Sequence, residues 1–212
     1  MKYKFLIVCV LVSFWGGNRL WSQYDFSLKC PEGQMLYYQV LRDGKSLRVT
    51  HPEKDWPYYS ATKPVGRVTV PGVVRWNGAV YEVVEIGENA FYGCDSLTDI
   101  SPGFVRSVGV QAFCGCKRLK NIELNECLHS IREGAFAYCE SLNRLVLPDS
   151  VENVGISAFS MCTGLEEVVM HLHVEDVCDT TVFYGCPLMR EAKNRKIDAT
   201  GHVIWRSDEH GE

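Results

Sequence analysis

The feature that most constrains this chain is a repeat. Four stretches align without internal gaps: EIGENAFYGCDSLTDI from Glu85, SVGVQAFCGCKRLKNI from Ser107, SIREGAFAYCESLNRL from Ser130 and NVGISAFSMCTGLEEV from Asn153. Their starts lie 22, 23 and 23 residues apart. Each carries Ala-Phe (Ala90-Phe91, Ala112-Phe113, Ala135-Phe136, Ala158-Phe159), then a cysteine (Cys94, Cys116, Cys139, Cys162), then a leucine (Leu97, Leu119, Leu142, Leu165). A unit this short cannot bury its own apolar face, so copies must stack and bury it against one another. Phenylalanine then lies on phenylalanine and leucine on leucine in continuous columns.

Each unit ends in a short alternating stretch, such as Ile122-Glu123-Leu124 or Leu145-Val146-Leu147. That pattern predicts a strand with its apolar side chains inward. The Ala-Phe-x-x-Cys stretch predicts a tight turn or a single helical turn on the other side. A degenerate fifth copy at 177–189 keeps Val182-Phe183 and Cys186 after one inserted residue, as suits the end of an array.

These units resemble the BspA-like leucine-rich repeats of secreted and surface proteins in host-associated anaerobic bacteria, which read approximately I-G-x-x-A-F-x-x-C-x-x-L-x-x-I-x-L-P. The resemblance covers about residues 84–189 and is fullest at 130–150, where Ala135, Phe136, Cys139, Leu142, Leu145, Leu147 and Pro148 are all in place. It departs where the first unit is one residue short near Ser101-Pro102, and where Asn125 and His171 replace the usual proline. It implies a repeat solenoid of leucine-rich units of about 23 residues, each with a short parallel strand and a tight or short helical turn. It also implies adhesion or the binding of host components. Upstream, Val68 to Pro71, Trp76-Asn77-Gly78 and Tyr81 to Val84 resemble the strand and hairpin that lead into such an array, and Asn-Gly between apolar residues is itself a hairpin signal.

Both flanks read differently from the array. Met-Lys-Tyr-Lys, an apolar run at 5–15 and the break at Gly16-Gly17-Asn18 form a signal peptide, residues 1–22, with cleavage near Ser22-Gln23. The run is too short to span a bilayer, which takes roughly twenty apolar residues. Cys9 follows Ile7-Val8 rather than the small residue expected before a lipidated cysteine. Residues 23–83 have no helical period. Phe26-Ser27-Leu28, the stretch 36–41 and the stretch 47–50 read as strands, the last two joined through Asp43-Gly44, giving a β-rich N-terminal cap. Residues 190–212 form a C-terminal cap or tail, with a hairpin turning at Thr200-Gly201 that closes the array or pairs with its last strand.

Loss of the leader removes Lys2, Lys4 and Arg19 and leaves 19 basic against 26 acidic residues, a net charge of −7. An anionic chain has no electrostatic reason to bind nucleic acid or an anionic membrane. The destination is extracellular space or the outer cell surface, with the periplasm as the other compartment that a leader reaches.

Nine cysteines remain in the exported chain, and five of them are the repeat's own position, expected to be reduced, buried thiols. Cys30, Cys114, Cys127 and Cys178 share no repeat offset. Cys114-Gly115-Cys116, and His171 and His173 with Asp176 and Cys178, raise zinc, but neither has the paired C-x₂-C spacing of a strong site. Cys178 with His171 or His173 is the one nucleophile-base combination close in sequence, a remote thiol- or metal-dependent hydrolase. No phosphate loop or nucleophile elbow is present. The expectation is a non-enzymatic protein without cofactor or metal.

What remains is the outward row of the strands. Asp99, Asn121, Arg144 and Glu167, with Ser101, Glu123, Val146 and Val169 beside them, alternate with buried Ile and Leu and so face solvent. Such a face suits a protein or glycan ligand. The plainer alternative is that Arg144 and Glu167 pair across adjacent strands and keep the face soluble. A second candidate is the loop at 51–60, whose Trp56, Tyr58 and Tyr59 either stack on a ligand or cover the array's open end; exposure of the rings decides. Function therefore reads as a secreted or surface binding protein, with a structural protein of the bacterial envelope as the alternative. If the phenylalanines stack, Phe136→Ala lowers unfolding stability by about 3–5 kcal/mol in denaturant titration. An unchanged midpoint would contradict stacking.

Overall fold

The computed structural model describes residues 24–55, 57–59, 62–176, 178, 181–190 and 195–206; the leader and Trp56 lie outside them. Chain order runs β1 (Phe26–Lys29), β2 (Met35–Val40), β3 (Ser46–Thr50), β4 (Gly66–Thr69), β5 (Val73–Trp76), β6 (Ala79–Ile86), β7 (Leu97–Ser101) and β8 (Ser107–Val108). It continues through β9 (Asn121–Ile122), β10 (Ser130–Ile131), β11 (Arg144–Val146), β12 (Asn153–Val154), β13 (Glu167–His171), the one-turn helix α1 (Leu172–Asp176), β14 (Arg195–Ile197) and β15 (His202–Arg206).

Each repeat unit contributes to three sides. On the back, the end of β6 pairs in parallel with β8, β8 with β10 and β10 with β12, placing Glu85, Ser107, Ser130 and Asn153 in register. On the front, β7 pairs with β9 and β11 with β13, also in parallel. The third side is the Ala-Phe turn, where Phe91 N donates to Ala112 O (2.7 Å), Phe113 N to Ala135 O (2.7 Å), Phe136 N to Ala158 O (2.7 Å) and Phe159 N to Val182 O (2.9 Å). Ala-Phe-x-x-Cys is thus a tight turn, closed within the unit by bonds such as Cys94 N to Phe91 O. The back strands, only two residues long in three units, are an element the alternation pattern did not reveal.

Stacking follows from this spacing. Phe91, Phe113, Phe136, Phe159 and Phe183 form a buried column with ring centroids 5.0, 5.0, 5.2 and 5.6 Å apart. Close to the separation of neighbouring strands, this distance lets identical rings repeat without adjustment. Cysteine fills a narrower column. The Sγ of Cys116, Cys139, Cys162 and Cys186 each donates to the phenylalanine carbonyl of the preceding unit, at 3.2, 3.4, 3.2 and 3.1 Å. Burial pushes the Cys94 thiol up to about 12, so that site stays protonated and unreactive. All nine cysteines are free thiols here, Cys30 and Cys114 buried, Cys127 and Cys178 half-buried.

At the N-terminal end β1, β2 and β3 are antiparallel, and β3 pairs in parallel with β6, so this sheet runs continuously into the back ladder. Hairpin β5–β6 turns at Asn77 and Gly78, whose φ of 48° and 79° gives the left-handed pair that a two-residue turn requires. Phe26 stacks on Trp76 at 4.4 Å and packs with Tyr38 at 5.4 Å. The free edge of β4 is met by side chains: Gln34 accepts from Val65 N (2.6 Å) and donates to Arg67 O (2.9 Å), while Glu32 accepts from Thr69 N (3.0 Å). At the other end β15 adds antiparallel to β13, and β14 to β15.

The front side is interrupted once. Strands β4, β7 and β9 form one sheet, β11, β13, β15 and β14 another, and β9 does not pair with β11. Just past β9, Asn125 marks the interruption: its Oδ1 accepts from Cys127 N (2.8 Å) and its Nδ2 donates to Gly103 O of the preceding unit.

After the back strand Gly109 and Gly155 sit where the stack leaves no room for a side chain, whereas the third unit carries exposed Arg132 at the same repeat position. A Cβ on Gly155 would lie 2.4 Å from Glu133 N, and one on Gly109 2.7 Å from Glu88 N. Backbone atoms cannot swing aside, so Gly155→Ala costs about 1–3 kcal/mol in overpacking, read as a lowered unfolding midpoint.

Candidate functional site

Parallel pairing sets the outward side chains of the front in rows. In the first row Arg67 stands opposite Asp99 and Asp99 opposite Asn121. Beyond the interruption, Arg144 stands opposite Glu167 and Glu167 opposite Arg206. Asn121 Nδ2 donates to Asp99 Oδ1 at 2.6 Å, and Arg67 reaches Asp99 at 3.4 Å and Glu123 at 3.3 Å. Arg144 Nε donates to one Glu167 oxygen at 2.7 Å and Arg206 Nε to the other at 2.8 Å. Each member of this row therefore has a neighbour of complementary charge or hydrogen-bonding character.

The chemistry is that of a rigid, mixed-charge surface. Burial works against ionised Glu167, but the hydrogen bonds and charges of Arg144 and Arg206 outweigh it and hold its carboxyl below the usual range. Hydrogen bonds from Thr98 and Asn121 do the same for Asp99. The arginines remain open, with 57% of the Arg144 and 61% of the Arg206 side chain exposed. Pairs this open contribute at most about 1 kcal/mol each. The second row is Thr69, Ser101 and, one strand on, Glu123 in one half, and Val146, Val169, Ile204 and Lys196 in the other. Arg67 and Arg206 are members that the sequence reading missed. They come from outside the repeated segments and enter the rows only through strand pairing.

Among the described residues of the aromatic loop, neither tyrosine stands fully exposed. Tyr59, one of the candidate binding residues, is buried and its hydroxyl donates to Ala90 O at 2.5 Å, covering the first turn of the array; burial withdraws it from the exposed set. Tyr58 is half-buried against Tyr92, ring centroids 5.6 Å apart, and His51, 4.4 Å away. Trp56 lies outside the described residues.

The histidines gather at the terminal hairpin. His171 ends β13, but His173 lies in α1 rather than continuing a strand. Their Nδ1 atoms are 2.7 Å apart, His173 Nε2 donates to Asp149 O (2.7 Å), and His202 meets Asp149 Oδ1 at 3.2 Å. Cys178 is half-buried against the core. Among the described residues no group of three or more His, Cys, Asp or Glu is arranged to hold a metal ion. No helix among them is long and apolar enough to cross a membrane.

Residues 81–196 match the BspA type leucine rich repeat region in six copies, one more than the units read from the alignment. The chain belongs to the BspA type leucine rich repeat family. The crystal structure of a leucine rich repeat protein of T. pallidum is similar, with a TM-score of 0.51 and 34% identity over 62% of this chain and 56% of that one. So is a leucine-rich repeat protein from Bacteroides ovatus ATCC 8483, with a TM-score of 0.52 and 26% identity over 68% of this chain and 41% of that one. This BspA type chain thus spans less than two thirds of the length of either. No curated protein matches it.

The lowered Glu167 carboxyl gives a pH test. Its stabilising contribution is present above the ordinary glutamate value of 4.5 and is lost as pH falls through the lowered folded value. Glu167→Gln removes a margin of up to about 1 kcal/mol at neutral pH, and the gap from the parent closes in acid. A gap independent of pH would mean that the substitution acts through something other than this charge.

Proposed function

We propose that this chain is a secreted or cell-surface binding protein, a repeat solenoid that captures a host or microbial protein or glycan on its front strand face and performs no catalysis. The observation that carries this reading is the fixed front row. Side chains of both signs stand on two hydrogen-bonded sheets, each holding its members in register, so little conformational entropy is lost when a ligand settles on either. Asp99, Asn121, Glu123, Arg144 and Glu167 are the ligand-facing set, joined by Arg67 and Arg206. Export rests on the N-terminal leader.

The test is binding of the purified chain to a panel of extracellular-matrix proteins and glycans at physiological salt. Saturable binding is expected, and Arg144→Glu with Glu167→Arg, which inverts the pattern but keeps an ion pair, should abolish it. Binding untouched by that exchange would remove the front row from the ligand site. Silence across the panel would favour a scaffold of the envelope instead.

A further inference from the structure

We infer that the C-terminal half of the front face seats an extended polypeptide segment in which carboxylate and aliphatic side chains alternate, a reading that deepens the proposed function and rests on it. The two halves of the front, separated between β9 and β11, differ in charge and polarity. In the N-terminal half a single guanidinium, Arg67, faces two acids, Asp99 and Glu123, and the neighbouring row of Thr69, Ser101 and Glu123 is polar. In the C-terminal half the ratio inverts: one acid, Glu167, lies between Arg144 and Arg206, each bound to a different carboxylate oxygen. Basic excess at this place contrasts with a chain that is acidic as a whole.

Beside the basic row runs an aliphatic one. Val146, Val169 and Ile204 stand directly opposite one another on β11, β13 and β15, and the row ends at exposed Lys196 on β14. Val146 is 43% exposed. On the far side His171 and His202 stand opposite each other, and His202 is compensated by Asp149 and Asp198.

Two parallel rows of different chemistry select a ligand that offers two chemistries in alternation. An extended chain does so, because successive side chains point to opposite sides. Laid across the strands between the rows, it directs carboxylates at Arg144 and Arg206, and aliphatic groups at Val146, Val169 and Ile204. Arginine's planar fork suits carboxylate, and Glu167 holds both guanidinium groups in place before the ligand arrives. An anionic glycan would satisfy the arginines but set hydroxyls against the valines, losing hydration there without apolar gain.

The test titrates a fluorescently labelled peptide of alternating Glu and Val into the full exported chain, beside a Lys-Val peptide and a heparin oligosaccharide. The Glu-Val peptide is expected to saturate, with Arg144→Gln plus Arg206→Gln weakening it roughly tenfold or more. Val146→Ser plus Val169→Ser should also weaken it, whereas Arg106→Gln plus Arg132→Gln, which removes the same charge from the back side, should not. Melting curves identify any variant that has unfolded, and Arg144→Lys plus Arg206→Lys, which keeps charge but not the fork, should bind at an intermediate level. Equal binding of the Lys-Val peptide, indifference to the front arginines, or tighter arginine-dependent binding of heparin would each overturn the inference. If the Glu-Val peptide fails while matrix binding persists and is lost in Asp99→Asn plus Glu123→Gln, the front-face function stands and this inference falls. If no front substitution affects any ligand, both fall.

Discussion

Backbone hydrogen bonds between successive units run down the back and the Ala-Phe turns of the repeat stack, and down the front with one break, and the spacing they impose governs what each side chain can be. With phenylalanine centroids 5.0 Å apart at the start of the column, each ring has the same neighbours as the last. The same spacing leaves Gly109 and Gly155 no room for a Cβ. It also brings each cysteine thiol to the carbonyl of the unit before it. Repetition in the sequence is thus the imprint of a repeated environment: identical slots accept identical residues.

That environment accounts for the abundance of cysteine in the array. A thiol is small, apolar enough for a column that excludes water, and still able to give a weak hydrogen bond to a phenylalanine carbonyl that already accepts one amide. Serine would bring a stronger donor but a larger cost of burial, and alanine would leave a gap.

The columns were legible because they depend on residues within one unit: Phe91, Phe113, Phe136 and Phe159 recur at a fixed offset and pack as they recur. The outward row was legible for the same reason, since alternation along each strand fixes which side chains leave the core. Features made by pairing remote segments were not. Arg67 and Arg206 complete charge rows from segments with no repeat signature; the pairing of the terminal hairpin with the last strand of the array was expected, but not the register that brings Arg206 opposite Glu167. Back strands of two residues, such as Ser107-Val108, are too short to show a period. For Tyr59 the sequence left two roles open, stacking on a ligand or covering the array's open end, because a loop rich in proline and polar residues fixes neither; its hydroxyl reaches Ala90 in the first repeat. Asn125 departs visibly from the repeat, but only the structure shows that the front divides into two sheets beside it.

The front is finished differently at its two ends. At β4, Glu32 and Gln34 meet the exposed amides and carbonyls with side chains, where a further strand would meet them with backbone. At β13 the direction reverses, and β15 offers the next strand an antiparallel partner. Neither terminus can therefore accept another unit of the same kind. Lengthening by gene duplication is accommodated in the interior, at seams where parallel units already pair, and the length of the front face can change in evolution while both finishing devices are inherited intact.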